Sequence, residues 1–240
     1  MLDRELSDLR QRLHREATSA VGMLESALDA LWRLDRQAAV ETRRRDDRID
    51  TEEVQIEEEA LRLMALRKPF ARDFRVLTFI IKVNADVERV ADHAASIAKC
   101  VPKFPQGPIP PWPTALRELA DRVTITCHAL LRALIEDDAE AAKAIVAGDE
   151  TIDALHRRLF DETLAMMEAS PGSSPIVGLL VYRIGRELER IGDLMASIAE
   201  DIVYLRTGHI IRHEKKRARL AAPAPTAPSS ASTGTAGSPS

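Results

Sequence analysis

The chain has 240 residues, 45% of them hydrophobic, enough to bury a core in one large domain or two small ones. A net charge of −4 leaves no global basic surface and argues against nucleic acid as a partner. Aromatic residues make up only 4%, while Ala, Leu, Arg and Glu dominate, so the fold class expected is all-α.

The N-terminus, "MLDRELSDLRQRLHREA", is highly charged and has no apolar signal-like segment. The longest apolar runs, "VLTFII" and "IVGLLVY", fall far short of the roughly 20 residues that span a bilayer, so no transmembrane segment and a cytoplasmic location are expected. From Leu2 to about Arg33, apolar residues recur at helical spacing: Leu6, Leu9, Leu13, Ala17, Ala20, Leu24, Leu28 and Leu31. A second helix is expected over 46–66, ended by "RKPFARD", and a third over 70–101. The proline-rich "PKFPQGPIPPWP" (102–113) reads as a connector. Helical spacing resumes over 115–147, 149–169 and 176–209, with "SPGSSP" breaking the last two apart. Cys100 and Cys127 lie in expected helices without a CxxC spacing and read as reduced, half-buried packing residues.

Two stretches are near copies. "VERVADHAASIAKCV" (87–101) aligns with 188–202, sharing Glu88, Arg89, Asp92, Ala95, Ser96, Ile97 and Ala98 with the later copy. "DDRID" (46–50) aligns likewise with "DETID" (149–153). Two tandem three-helix bundles related by a pseudo-twofold follow, 1–101 and 114–213, joined by the connector 102–113. The remainder, 214–240, belongs to the basic stretch "RHEKKRAR" and a tail of Ala, Pro, Ser, Thr and Gly expected to be disordered. The basic stretch reads as a solvated helix end or as a patch for an acidic partner or anionic lipid.

The repeats supply four pairs of one form, acid-x-x-x-acid: Asp46 and Asp50, Glu88 and Asp92, Asp149 and Asp153, Glu189 and Asp193. Such spacing puts both carboxylates on one helix face about a turn apart, where like charges repel. With 38 acidic residues, chance alone yields roughly six such pairs, so the duplication rather than any single pair carries the signal. Carboxylate oxygens ligate Mg, Ca, Mn and Fe, and facing helices can bring two pairs around a cation. The bland alternative has Arg48, Arg89, Arg157 and Arg190 pairing with these acids on solvated surfaces. Ala95 and Ala196 are small residues that would leave room for an ion. His209 and His213 have ligand-compatible spacing but no acid in register, and His93, His128 and His156 stand singly. No Glu-x-x-His, Gly-x-x-x-x-Gly-Lys or Gly-x-Ser-x-Gly occurs, so an enzyme has little to stand on.

"VERVADHAASIAK", "LERIGDLMASIAEDIVYLRTGHIIRH" and the two "D..ID" helix starts together resemble the PhoU family of phosphate-specific transport system accessory proteins, over about 2–213. The first copy is looser, with Val90 and Ala91 where the pattern usually has Ile and Gly. The resemblance implies multinuclear metal sites on Asp46, Asp50, Glu88, Asp92, Asp149, Asp153, Glu189 and Asp193, filled by divalent or trivalent ions such as Fe, Mn, Mg or Zn. It implies a negative regulator of phosphate uptake and of the phosphate-starvation response. Such a protein touches the ATPase subunit of the phosphate ABC transporter and a phosphate-sensing histidine kinase. It is commonly a homodimer, and it meets the membrane only peripherally, through those partners. A metal buffer or storage protein on the same bundle is the alternative.

Overall fold

The computed structural model describes residues 2–169 and 175–210. Its elements are α1 (Leu2–Arg33), α2 (Arg36–Arg44), α3 (Asp46–Arg67), α4 (Arg72–Ala98), a 3-10 turn (Val101–Lys103), α5 (Thr114–Glu136), α6 (Ala139–Ala169) and α7 (Pro175–Thr207), with no strand among the described residues. The expected stripe of α1 is buried from Leu6 to Leu31, which is why 32 residues stay in one helix.

Helix α1 ends at Arg33, as expected, and the device that ends it also ends α5 earlier than expected. Leu34 takes a left-handed φ of 51° and ends α1, and Asp35 then caps α2 by accepting from Ala38 N at 2.9 Å. At the matching place, 103 residues on, Asp137 takes φ 52°, and Asp138 Oδ1 accepts from the backbone N of Glu140 (2.9 Å) and Ala141 (3.0 Å). The expected helix 115–147 therefore stops at Glu136, and α6 runs unbroken through Gly148. Helix α2, unforeseen in the sequence, is the first-repeat counterpart of the start of α6. Only Ala39 and Thr42 of its nine residues are buried, so it shows no apolar stripe.

The first helices of the two repeats keep this register of 103 in their cores. Leu13 and Leu116, Ala17 and Ala120, Leu24 and Cys127, and Leu31 and Leu134 are matching pairs of buried residues. Within the repeats α1 and α3 pack on α4, and α5 and α6 pack on α7. Across them α4 meets α7 and α1 meets α5, like against like, as a pseudo-twofold requires. Ala17, Val87, Val90, Leu130, Met195 and Ile198, from four helices and both repeats, converge on one apolar gap of about 20 Å³. The repeats thus share a core and form one compact unit, with α1, α4, α5 and α7 central and α3 and α6 outside.

The connector is docked onto the first repeat. Trp112 sits edge-on to Trp32 (5.6 Å) and Phe104 (5.4 Å), Arg117 lies over the Trp32 ring at 4.7 Å, and Arg36 donates to Phe104 O at 2.9 Å. Cys100 and Cys127 are free thiols, fully rather than half buried. Gly208, at φ 74°, donates to Tyr204 O and ends α7, which leaves His209 beyond the helix. His213, the basic stretch and the tail lie outside the described residues.

Candidate metal centre

In α7, Gly178, Gly185 and Gly192 recur every seven residues on the face toward α6. A Cβ on Gly178 or Gly185 would collide with Met167 or Leu159, and one on Gly192 would lie 2.9 Å from Ile152 Cδ1. The close approach those glycines permit brings the second repeat's acids together. Asp153 on α6 and Glu189 and Asp193 on α7 each offer a carboxylate oxygen within 4.8 Å of the other two. Asp193 reaches solvent, yet its carboxyl is pushed up to about 6 by desolvation and then by Glu189, Asp149 and Asp153, with Arg190 opposing.

The matching residues of α4 are Leu77, Asn84 and Ala91, so the first repeat has no glycine on that face. Asp92, Asp50, Glu53 and Asp46 still lie near enough to Glu88 to act on it, and its carboxyl is pushed up to about 6 by burial and then by those four charges. The Asp46 carboxyl also rises, from burial, Asp92 and Asp50, with Lys99 opposing, and its Oδ1 is buried without a hydrogen-bond partner. Among the described residues, only the second repeat brings three carboxylates as close as 4.8 Å. Arg89 pairs with Asp86 (3.3 Å) instead of with Glu88 or Asp92, which leaves that pair's repulsion uncompensated from this side. Ala95 is buried and Ala196 half-buried on α4 and α7.

An all-oxygen donor set crowded enough to hold protons at pH 6 suits a hard cation such as Mg, Ca, Mn or Fe better than a thiolate-seeking one. The residues present therefore fit an ion, most tightly at Asp153, Glu189 and Asp193. Four polar features were not anticipated. Glu16 on α1 is only 3% exposed, and neither carboxylate oxygen has a hydrogen-bond partner. Burial, then Glu52 and Glu53, push its carboxyl up to about 8. The repeat itself carried the signal, since the matching position in α5 is the buried Leu119. Asn84, fully buried, donates Nδ2 to Glu53 O at 2.8 Å and ties α4 to α3. Between repeats, Ser197 donates to Asp86 (3.1 Å) and His93 Nδ1 lies 2.7 Å from Glu187 Oε2.

These features define a class of protein, a tandem-repeat helical bundle with a carboxylate face in each half. The sequence profile of the PhoU domain matches twice, at residues 13–101 and 116–202, and the chain belongs to the PhoU family. It is 35% identical over 207 residues to the phosphate-specific transport system accessory protein PhoU homolog of Xylella fastidiosa, covering 86% of this chain and 85% of that one. To the homolog so named in Pseudomonas aeruginosa it is 30% identical over 210 residues, covering 87% and 86%. Crystal structures of the phosphate transport system regulatory protein PhoU from Streptococcus pneumoniae and of PhoU from Pseudomonas aeruginosa each superpose with a TM-score of 0.81 at 29% identity. They cover 88% and 87% of this chain, and 99% and 100% of theirs. No described helix is long and apolar enough to cross a membrane.

Proposed function

We propose that this protein restrains phosphate uptake and the phosphate-starvation response by contact, binding the ATPase subunit of a phosphate ABC transporter and a phosphate-sensing histidine kinase from the cytoplasm, as a homodimer. The observation that carries this reading is the near full-length match to accessory and regulatory proteins of phosphate transport. A surface suited to partners accompanies it, since Leu66, Phe70 and Phe74, around the α3–α4 turn, are exposed, Phe70 by 89%.

The acidic faces would give that surface its shape. Asp149, Asp153, Glu189 and Asp193 would hold an ion between α6 and α7, and Asp46, Asp50, Glu88 and Asp92 between α3 and α4. A bound cation supplies charge compensation to carboxylates that otherwise push facing helices apart. Regulation requires the protein to bind one state of the kinase more tightly than the other, and a surface fixed in this way can do so.

The test is alkaline phosphatase activity in phosphate-replete cells lacking the protein, complemented by wild type or by Glu88→Gln, Asp92→Asn, Glu189→Gln, Asp193→Asn together. Deletion should raise activity, and only wild type should restore repression. Repression by both versions removes the carboxylates from the mechanism. Unchanged activity on deletion, in cells that still induce it on starvation, refutes the regulatory reading and favours a metal buffer.

A further inference from the structure

A cavity of about 570 Å³ lies between α1 and the first turns of α3, within the roughly 300–1,000 Å³ of small-molecule clefts. Four guanidinium-bearing residues line it, Arg12 and Arg15 from α1, Arg45 between α2 and α3, and Arg48 from the first turn of α3. Arg12 is pinned by Glu52 (2.8 Å) and Arg45 donates to Ser26 Oγ (3.1 Å). Arg15 and Arg48 make no side-chain hydrogen bond or ion pair among the described residues, so two forks stand ready for a ligand. The buried, unpartnered Glu16 also lines this cavity.

Surface arginines are common and usually only solvated. The second repeat shows that the fold does not ask for these. In the register of 103, the positions of Arg12, Arg15, Arg45 and Arg48 are Ala115, Glu118, Gly148 and Thr151, and Glu16 is replaced by the core residue Leu119. The first repeat keeps four cations and a costly buried carboxyl where the same architecture is stable without them. A local departure of that kind, at a cost in stability, marks a functional site.

We propose that this cleft binds a small anion carrying two or more phosphoryl groups, held by Arg12, Arg15, Arg45 and Arg48. The guanidinium fork matches phosphate oxygens in bidentate fashion and keeps its charge at every physiological pH. Four cations against the one half-buried carboxylate of Glu52, already paired with Arg12, exceed what one phosphate group needs, and the volume leaves room for a second and for an attached organic portion. The Glu16 carboxyl, raised to about 8 by burial and by Glu52 and Glu53, is protonated at neutral pH and presents an O–H donor in place of a repelling charge. The cleft adjoins the first acidic face, since Arg45 and Arg48 flank Asp46, but the regulatory reading rests on the family match and not on this cleft, so failure of the proposal leaves that reading standing.

The test is isothermal titration of the full chain with pyrophosphate at constant ionic strength, beside inorganic phosphate and sulfate. Saturable binding of pyrophosphate at least tenfold tighter than of either comparator is expected. Arg15→Gln with Arg48→Gln should weaken it at least tenfold, Arg15→Lys with Arg48→Lys less, and Glu16→Leu should weaken it in a protein that melts higher. Pyrophosphate no tighter than sulfate or inorganic phosphate overturns the proposal. So does binding that survives the Gln pair, the result expected if pyrophosphate merely captured a metal on the acidic faces.

Discussion

The glycines of α7 and the buried glutamate of α1 do opposite things to packing. At Gly185 and Gly192 the absence of a side chain lets Leu159 and Ile152 of α6 seat against α7, and the acids one turn away converge as a result. Gly185→Val should therefore cost about 1–3 kcal/mol through overpacking, read as a lower urea midpoint at unchanged slope. An unchanged midpoint would mean that α6 and α7 are not held together there. Glu16 works the other way, since its unpartnered carboxyl in the core of α1 costs stability. Glu16→Leu, which copies Leu119, should stabilise the protein by about 1–3 kcal/mol in the same assay. Little in the local sequence separates Glu16 from the surface glutamates around it. Aligning the repeats does, by setting it against a leucine.

At the scale of elements, the repeat is tighter than its acidic motifs alone reveal. Leu34 and Asp137 share a left-handed conformation, and Asp35 and Asp138 share a capping role, so each first helix ends and each second one begins at the same step. Asp138→Ala should cost about 1 kcal/mol by removing the acceptor of two backbone N–H groups, and equilibrium denaturation measures it. No loss would show that the start of α6 is held by packing alone. The long amphipathic helices were legible because burial follows the apolar stripe, as in α1. Helix α2 was not, because only two of its nine residues face the core. The break at Asp137 was missed because apolar spacing runs on past it, and a left-handed residue followed by a cap interrupts a helix without interrupting its hydrophobicity. The connector's prolines announced a loop but not its anchoring, which rests on rings from distant positions, Trp32 and Trp112.

Over the whole molecule, the duplicated acidic motifs contain Asp153, Glu189 and Asp193, whose carboxylates approach within 4.8 Å, and that convergence depends on glycines whose role only packing reveals. Crowding makes the fold sensitive to pH. Glu88 and Asp193 have ordinary values of 4.5 and 3.8 and are raised to about 6 in the folded protein, so the folded state binds more protons between those limits. Their contribution to stability is complete below the ordinary values and is lost as pH rises through about 6. Glu16, raised to about 8, extends the same trend upward. Chelator-treated protein should accordingly melt higher at pH 5 than at pH 7.5, and added Mn²⁺ should raise the melting temperature more at pH 7.5, where protons no longer compete for the carboxylates. Equal Mn²⁺ effects at both pH values would argue against carboxylate ligands.

The most direct test of the metal-held acidic faces is calorimetric titration of chelator-treated full-length protein with Mn²⁺ at pH 7.5, wild type beside Asp153→Asn, Glu189→Gln, Asp193→Asn together. Saturable, stoichiometric uptake by wild type, reduced but not abolished in the variant because the first repeat keeps Asp46, Asp50, Glu88 and Asp92, is the predicted result. Full wild-type stoichiometry in the variant, or no saturable uptake by wild type, would contradict it.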